Sequence, residues 1–217
     1  MRVRYGEQQL APTAEKAKLE YLASITCMDD AIGEVLGLLD EYNLTDNTIV
    51  IFCSDNGGSG GADNGPLKGK KASVWEGGLR VASVVRYPGE IRAGTTNAEF
   101  LTTLDPLPTL LNLAGVKKPQ DLILDGHDIL PVLAGKSPSP RREMFWKRRD
   151  LEAARIDNWK WARVGGKSFL FDLSNDLGEK QDLAAQMPDK ASELERRFDA
   201  WLEKMDAAEP RGPFKDY

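Results

Sequence analysis

Histidine is nearly absent: His127 stands alone in 217 residues. A histidine metal cage and a Ser-His-Asp triad both need that side chain, so neither is expected. His127 itself follows a turn in LDGHDIL and reads as structural. Cysteine is scarce too. Cys27 lies in a helical stretch and Cys53 ends an apolar run, with no CxxC pairing. A disulfide framework is not expected, and both read as small buried hydrophobes. No run approaches the ~18 apolar residues of a membrane span. The opening MRVRYGEQQLAPTAEKAK lacks the apolar stretch of a signal peptide. An excess of basic residues is missing as well. Lys plus Arg number 29 against 34 Asp plus Glu, a net charge of −5, which argues against nucleic acid as a partner.

Apolar residues make up 41% of the chain, enough for a real core. Residues 1–12 read as a tail or entry loop. From Thr13 to Tyr42, apolar residues recur every three or four positions (Leu19, Leu22, Ile25, Met28, Ile32, Val35, Leu36, Leu39), the stripe of a long helix. Thr13 is placed to cap it and Asn43 to stop it. The run Thr48–Cys53 is continuous, β-branched and aromatic. It predicts a strand buried on both faces, hence parallel, and with the helix before it an α/β sheet. Leu79–Tyr87 predicts a second strand. Thr103–Ala114 predicts a helix with Pro106 in its first turn and Gly115 beyond its end. Ile129–Leu133 predicts a short helix, and residues 136–140 a linker.

After the linker the pattern changes. Glu143–Trp146, Ala153–Ile156, Trp159–Val164 and Ser168–Leu173 are short, aromatic-rich and parted by turns such as Asp157-Asn158 and Gly165-Gly166. They predict an antiparallel meander. Trp146, Trp159, Trp161, Phe169 and Phe171 are expected to form its core. An amphipathic helix over Asp189–Met205 closes the chain. The expected organisation is an α/β portion over 1–136 and a small α+β portion over 137–217.

Chemistry concentrates after the first strand, in SDNGGSGGADNGPLKGKK. Open α/β sheets bind ligands at that end of their strands. Asp55 and Asn56 present hard oxygen donors suited to Ca²⁺ or Mg²⁺. An Asx turn uses the same residues, and the dipeptide alone favours the turn. Lys68, Lys70 and Lys71 suit an oxyanion such as sulfate or phosphate. For any single one of them, a solvated basic loop is the favoured reading. Asp29 and Asp30 are adjacent on a helix and diverge, so they read as helix-surface or packing polar groups.

Several segments, taken in order, resemble the sulfatase family of the alkaline-phosphatase superfamily. They are YLASITCMDDAIG, LTDNTIVIFCSDNGG, NGPLKGKKASVWEGGLRVASVVRYPGEIRAG, LDPLPTLLNLAG, LDGHDILPVLAG, DNWKWARV and FLFDLSNDLGEKQDLA. The resemblance covers Tyr21 to Trp201 and matches the C-terminal part of the family only. It implies an incomplete alkaline-phosphatase-like sheet with helices, then a small α+β domain with an antiparallel sheet and a C-terminal helix. It implies that Asp55 and Asn56 are ligands to a divalent metal, usually Ca²⁺ with Mg²⁺ possible. It also implies that Lys71, five places before Glu76, contacts the sulfate, with Lys70 as the neighbour in register. Glu76, Gly77 and Gly78 are structural in this comparison.

The family's nucleophile, a Cys or Ser in C/S-x-P-x-R oxidised to formylglycine, has no counterpart. Cys27 is followed by Met-Asp-Asp-Ala and Cys53 by Ser-Asp-Asn-Gly. The expectation is therefore part of a metal-dependent sulfatase, acting on a sulfated small molecule or glycan when complemented by the remainder. An inactive truncated subunit or binding module is the alternative, and a related phosphoester or phosphonate hydrolase a third. Family members are often exported; the chain shows no signal for it. With two strands of the large sheet present, association through exposed sheet edges is expected.

Overall fold

The structure is a computed structural model that describes residues 14–208. The expected tail over 1–12 and the Thr13 cap lie outside those residues. The chain divides into two compact units, one up to Pro88 and one from Gly89. This division falls inside the segment 1–136 that the sequence reading groups as one portion.

In the first unit, α1 runs from Ala14 to Glu41 and stops at Asn43, whose φ of 56° reverses the chain. A 3₁₀ turn at Thr45–Asn47 leads into β1, Val50–Cys53. A long loop follows, then the single-turn helix α2 at Glu76–Leu79 and strand β2 at Ser83–Arg86. Here the structure corrects the sequence. β1 pairs antiparallel with β2, Val50 opposite Arg86 and Cys53 opposite Ser83. The pair forms a two-stranded sheet, and β1 alternates half-buried and exposed. A continuous apolar run reads as parallel only when neighbours cover it on both sides, and among the described residues none do. Leu79 belongs to the turn of α2 rather than to a strand. Cys27 and Cys53 are both exposed, not buried. Cys53 takes an outward position of β1, and Cys27 sits on a helix whose surface is open along most of its length.

In the second unit, α3 spans Pro106–Leu113 and α4 spans Leu130–Leu133. Pro106 takes the first helical position, and Gly115 turns the chain at φ 65°. Asp105, fully buried, is the hub of this region. Its carboxylate accepts from the Thr102 N–H (2.6 Å), the His127 N–H (3.0 Å) and the Arg141 guanidinium (2.6 Å). His127 is held through its backbone, as a structural residue would be.

Strands β3 (Glu143–Arg148), β4 (Leu151–Ile156), β5 (Trp159–Val164) and β6 (Lys167–Asp172) form an antiparallel meander in sequence order. Gly165 and Gly166 both have positive φ, the requirement of a tight two-residue hairpin. Helix α5, Pro188–Asp206, packs Ala191, Leu194 and Phe198 against Ala154, Ile156, Trp161 and Leu170. Of the expected aromatic core, Trp161 and Phe171 are buried, on opposite faces of the sheet. Trp146, Trp159 and Phe169 are half-buried, and Phe145, Phe198 and Trp201 add to the cluster on the α5 face. On the opposite face Lys160 pairs with Glu179 at 2.9 Å, both fully buried.

The turn after β6 carries one pH-sensitive group. Hydrogen bonds from the Ser174 hydroxyl and then the Asn175 amide hold the Asp172 carboxyl below its ordinary value of 3.8. The contribution of this turn is present above the ordinary carboxylate range and is lost as pH falls through the lowered value. An NMR titration of Asp172 is expected to show a midpoint below 3.8; a midpoint above it contradicts the hydrogen-bonded turn.

Candidate functional site

The loop after β1 is built on two glycine pairs that meet face to face. The Gly57 N–H donates to the Gly78 carbonyl at 3.0 Å. A Cβ on Gly57 would lie 1.7 Å from the Gly77 carbonyl oxygen. The Gly77 N–H in turn donates to the Lys68 carbonyl at 2.7 Å, and the Lys71 N–H to the Gly58 carbonyl at 3.1 Å. Only residues without side chains allow backbones this close. The sequence pieces Asp55-Asn56-Gly57-Gly58, Lys68–Lys71 and Glu76-Gly77-Gly78 thus become one constellation within the first unit.

Asn64 fastens it. Its Oδ1 accepts from the Gly58 N–H at 2.9 Å, and its Nδ2 donates to the carbonyls of Gly58 (3.2 Å) and Gly69 (3.1 Å). The side chain imitates a strand of backbone between the two loops. Its role depends on two loops meeting, which no local sequence pattern encodes. Asn64→Ala is expected to cost about 2 kcal/mol, since it strips partners from half-buried backbone groups. Urea denaturation measures this; a change within about 0.5 kcal/mol, the level of an ordinary surface substitution, contradicts the fastening role.

The metal candidates sit at the end of β1. Asp55 is exposed and Asn56 half-buried. The Ser54 hydroxyl donates to the Asn56 carbonyl at 2.9 Å, and the Asn56 Nδ2 donates to Asp55 Oδ1. That arrangement leaves Asp55 Oδ2 and Asn56 Oδ1 uncommitted among the described residues. Two hard oxygen donors side by side fit a Ca²⁺ or Mg²⁺ ion, which takes six or more oxygens. They supply part of a shell. Among the described residues, no group of three His, Cys, Asp or Glu is placed to hold a metal alone.

The lysines divide by role. Lys68 places its ammonium 3.7 Å from the Trp75 ring centroid, a cation–π contact. Lys70 and Lys71 are exposed. The Lys70 backbone is tied to Ser73 through its N–H (3.2 Å to Oγ) and its carbonyl (2.8 Å from Oγ). Between Lys71 and Ser73, Ala72 is held at φ 75°, a costly conformation for a residue with a Cβ. Glu76 is buried and lies 3.9 Å from the Arg80 guanidinium, consistent with a structural residue. A shallow depression lined by Gly58, Ser59, Asp63, Asn64, Gly69 and Lys70 opens beside these loops.

Comparison with known proteins agrees with the order of these segments. Residues 4–116 match the model of the family described as Sulfatase. Residues 69–207 match that of N-sulphoglucosamine sulphohydrolase, C-terminal. A sulfatase of Formosa agariphila is 34% identical over 87% of this chain and 40% of its own length. The human steryl-sulfatase is 40% identical over 55% of this chain and 22% of its own length. Among solved structures, Ps i-CgsB in complex with k-i-k-neocarrahexaose superposes with a TM-score of 0.74 at 31% identity, covering 80% of this chain and 40% of that one. The chain therefore spans about two fifths, or less, of each of these three relatives.

Proposed function

The chain belongs to the sulfatase family, and from that premise we propose that it carries part of the machinery for sulfate-ester hydrolysis. Asp55 and Asn56 are two ligands of a divalent metal, Ca²⁺ in the first instance, and Lys71 is the cation that faces the sulfate. One observation carries the reading. The lysine loop and the Asp-Asn turn are tied backbone to backbone, through Lys71 N–H to Gly58 and Gly57 N–H to Gly78. The backbone segments that carry the ligand pair and the lysine are therefore held together.

Each group has a distinct task. Asp55 supplies the charged oxygen and Asn56 the neutral one, so the pair retains net charge −1 toward a cation. When bound, that cation stabilises negative charge on sulfate oxygens. Lys71 adds a mobile point charge on a fixed backbone anchor and stabilises charge on the same group. Gly57 and Gly58 keep the floor of the site free of side chains. The relatives include a steryl-sulfatase and Ps i-CgsB in complex with k-i-k-neocarrahexaose. The proposal for this chain is accordingly a sulfate ester, with its alcohol portion unassigned.

The test is a chimera in which this chain replaces the matched portion of the Formosa agariphila sulfatase. Asp55→Ala is expected to lose most of the divalent metal that the chimera retains after dialysis, read by elemental analysis. Unchanged metal content overturns the ligand assignment.

A further inference from the structure

The turn that carries Lys71 is strained, and one hydroxyl closes it. The Ser73 N–H donates to the Lys70 carbonyl at 3.0 Å, so residues 70–73 form a β-turn with Lys71 and Ala72 at its centre. Ala72 has φ 75°, the left-handed conformation that the third position of such a turn ordinarily gives to Gly or Asn. A methyl group is disfavoured there, so the conformation must be held by its surroundings. Ser73 Oγ holds it. It accepts from the Lys70 N–H at 3.2 Å and donates to the Lys70 carbonyl at 2.8 Å. The oxygen is wedged against two bare backbones. A Cβ on Gly69 would lie 2.5 Å from it, and one on Gly78 2.6 Å from it. Gly78 in turn accepts from the Gly57 N–H beside the Asp-Asn turn.

We propose that Ser73 is a positioning residue for the sulfate-facing lysine. The Lys71 N–H bond to the Gly58 carbonyl fixes the peptide before Lys71. The Ser73 hydroxyl, by holding the turn, fixes the peptide after it. With both peptides set, the tetrahedral Cα leaves one direction for the Lys71 side chain. Ser73 acts through Lys71 and is assigned no contact with the sulfate. The inference rests on the role given to Lys71 above.

The experiment is a double-mutant cycle in the chimera that carries this chain. Ser73→Ala is expected to lower kcat about tenfold or more, since misplacing a working group by about 1 Å can cost about 10²-fold. KM should change less than about threefold, because the lysine acts as charge develops. In the Lys71→Ala chimera the same substitution is expected to cost less than about twofold, because the group it positions is gone. A hydroxyl that only supported the fold would cost the same in both backgrounds. Where Ser73→Ala gives too little folded chimera, Ala72→Gly with Ser73→Ala replaces it, since glycine enters the left-handed turn without strain. The same Lys71-dependent loss is then expected. In the purified chain, NMR of Ser73→Ala should show the amide-to-Hα coupling of Ala72 moving from its left-handed value. Three results overturn the proposal: kcat unchanged by Ser73→Ala where Lys71→Ala lowers it, equal losses in both backgrounds, or an unchanged Ala72 coupling. Lys71→Ala without effect on kcat is a different failure, which removes the Lys71 assignment and this inference with it.

Discussion

Lys71→Ala, in the chimera that carries this chain, is expected to lower kcat for sulfate-ester hydrolysis by about 10²–10³-fold, the loss typical of removing one donor to a developing charge. KM should change much less, because the interaction strengthens as charge accumulates on the leaving group and sulfate oxygens. Lys70→Ala provides the contrast. Both side chains are exposed, but the Lys71 N–H is bonded to Gly58 of the Asp-Asn turn, whereas the Lys70 backbone is bonded to Ser73. The Lys70 change should therefore cost several-fold at most. A large loss at Lys70 with none at Lys71 would shift the sulfate contact by one residue, and equal small losses would remove lysine from the reading.

Gly57→Ala is expected to be more damaging than its size suggests. The added Cβ would sit 1.7 Å from the Gly77 oxygen and 2.6 Å from the Gly77 carbonyl carbon, both backbone atoms. Neither can swing aside as a side-chain tip would. The two loops must part, breaking the Gly57–Gly78 hydrogen bond. A loss of more than about 3 kcal/mol is expected, in the tail of single-substitution effects. Gly60→Ala in the same loop is the control. Gly60 has φ 62°, but nothing lies within 4 Å of an added Cβ. Its cost should stay near the ~1 kcal/mol of a left-handed alanine. Denaturant midpoints of the two variants measure the difference, and equal midpoints contradict the face-to-face packing of the glycine pairs.

Much of this fold is legible in the residues because its signals are local. The α1 stripe has the helical period, so Ala14–Glu41 follows from Leu19, Leu22, Ile25 and their successors. Pro106 and Gly115 mark the limits of α3 by their backbone restrictions. The meander announces itself through Asp157-Asn158 and Gly165-Gly166 between aromatic strands. Strand direction is different. A run such as Thr48–Cys53 tells how apolar a strand is, not which strand lies beside it, and the partner 30-odd residues away turned out antiparallel.

The same distinction holds at the site. Asp55, Asn56 and Lys71 were visible as residue types suited to metal and oxyanion. Composition alone could not raise them above an Asx turn and a solvated loop; the family pattern did. The contacts that join them, through Asn64 and the two glycine pairs, exist only between segments distant in sequence. The exposure of Cys27 and Cys53 was hidden for a related reason, because burial depends on what covers a surface.

The most direct measurement is an amide-resolved NMR titration of the purified chain, first with CaCl₂ and then with Na₂SO₄. Ca²⁺-dependent shifts are expected, confined to residues 54–58 and their backbone partners at Lys71 and Gly78, with an affinity no better than about millimolar for so incomplete a shell. Sulfate is then expected to perturb residues 70–72, and Asp55→Ala to abolish the first response. Shifts that persist unchanged in Asp55→Ala, or none at Asp55 and Asn56 at saturating Ca²⁺, would contradict the ligand assignment.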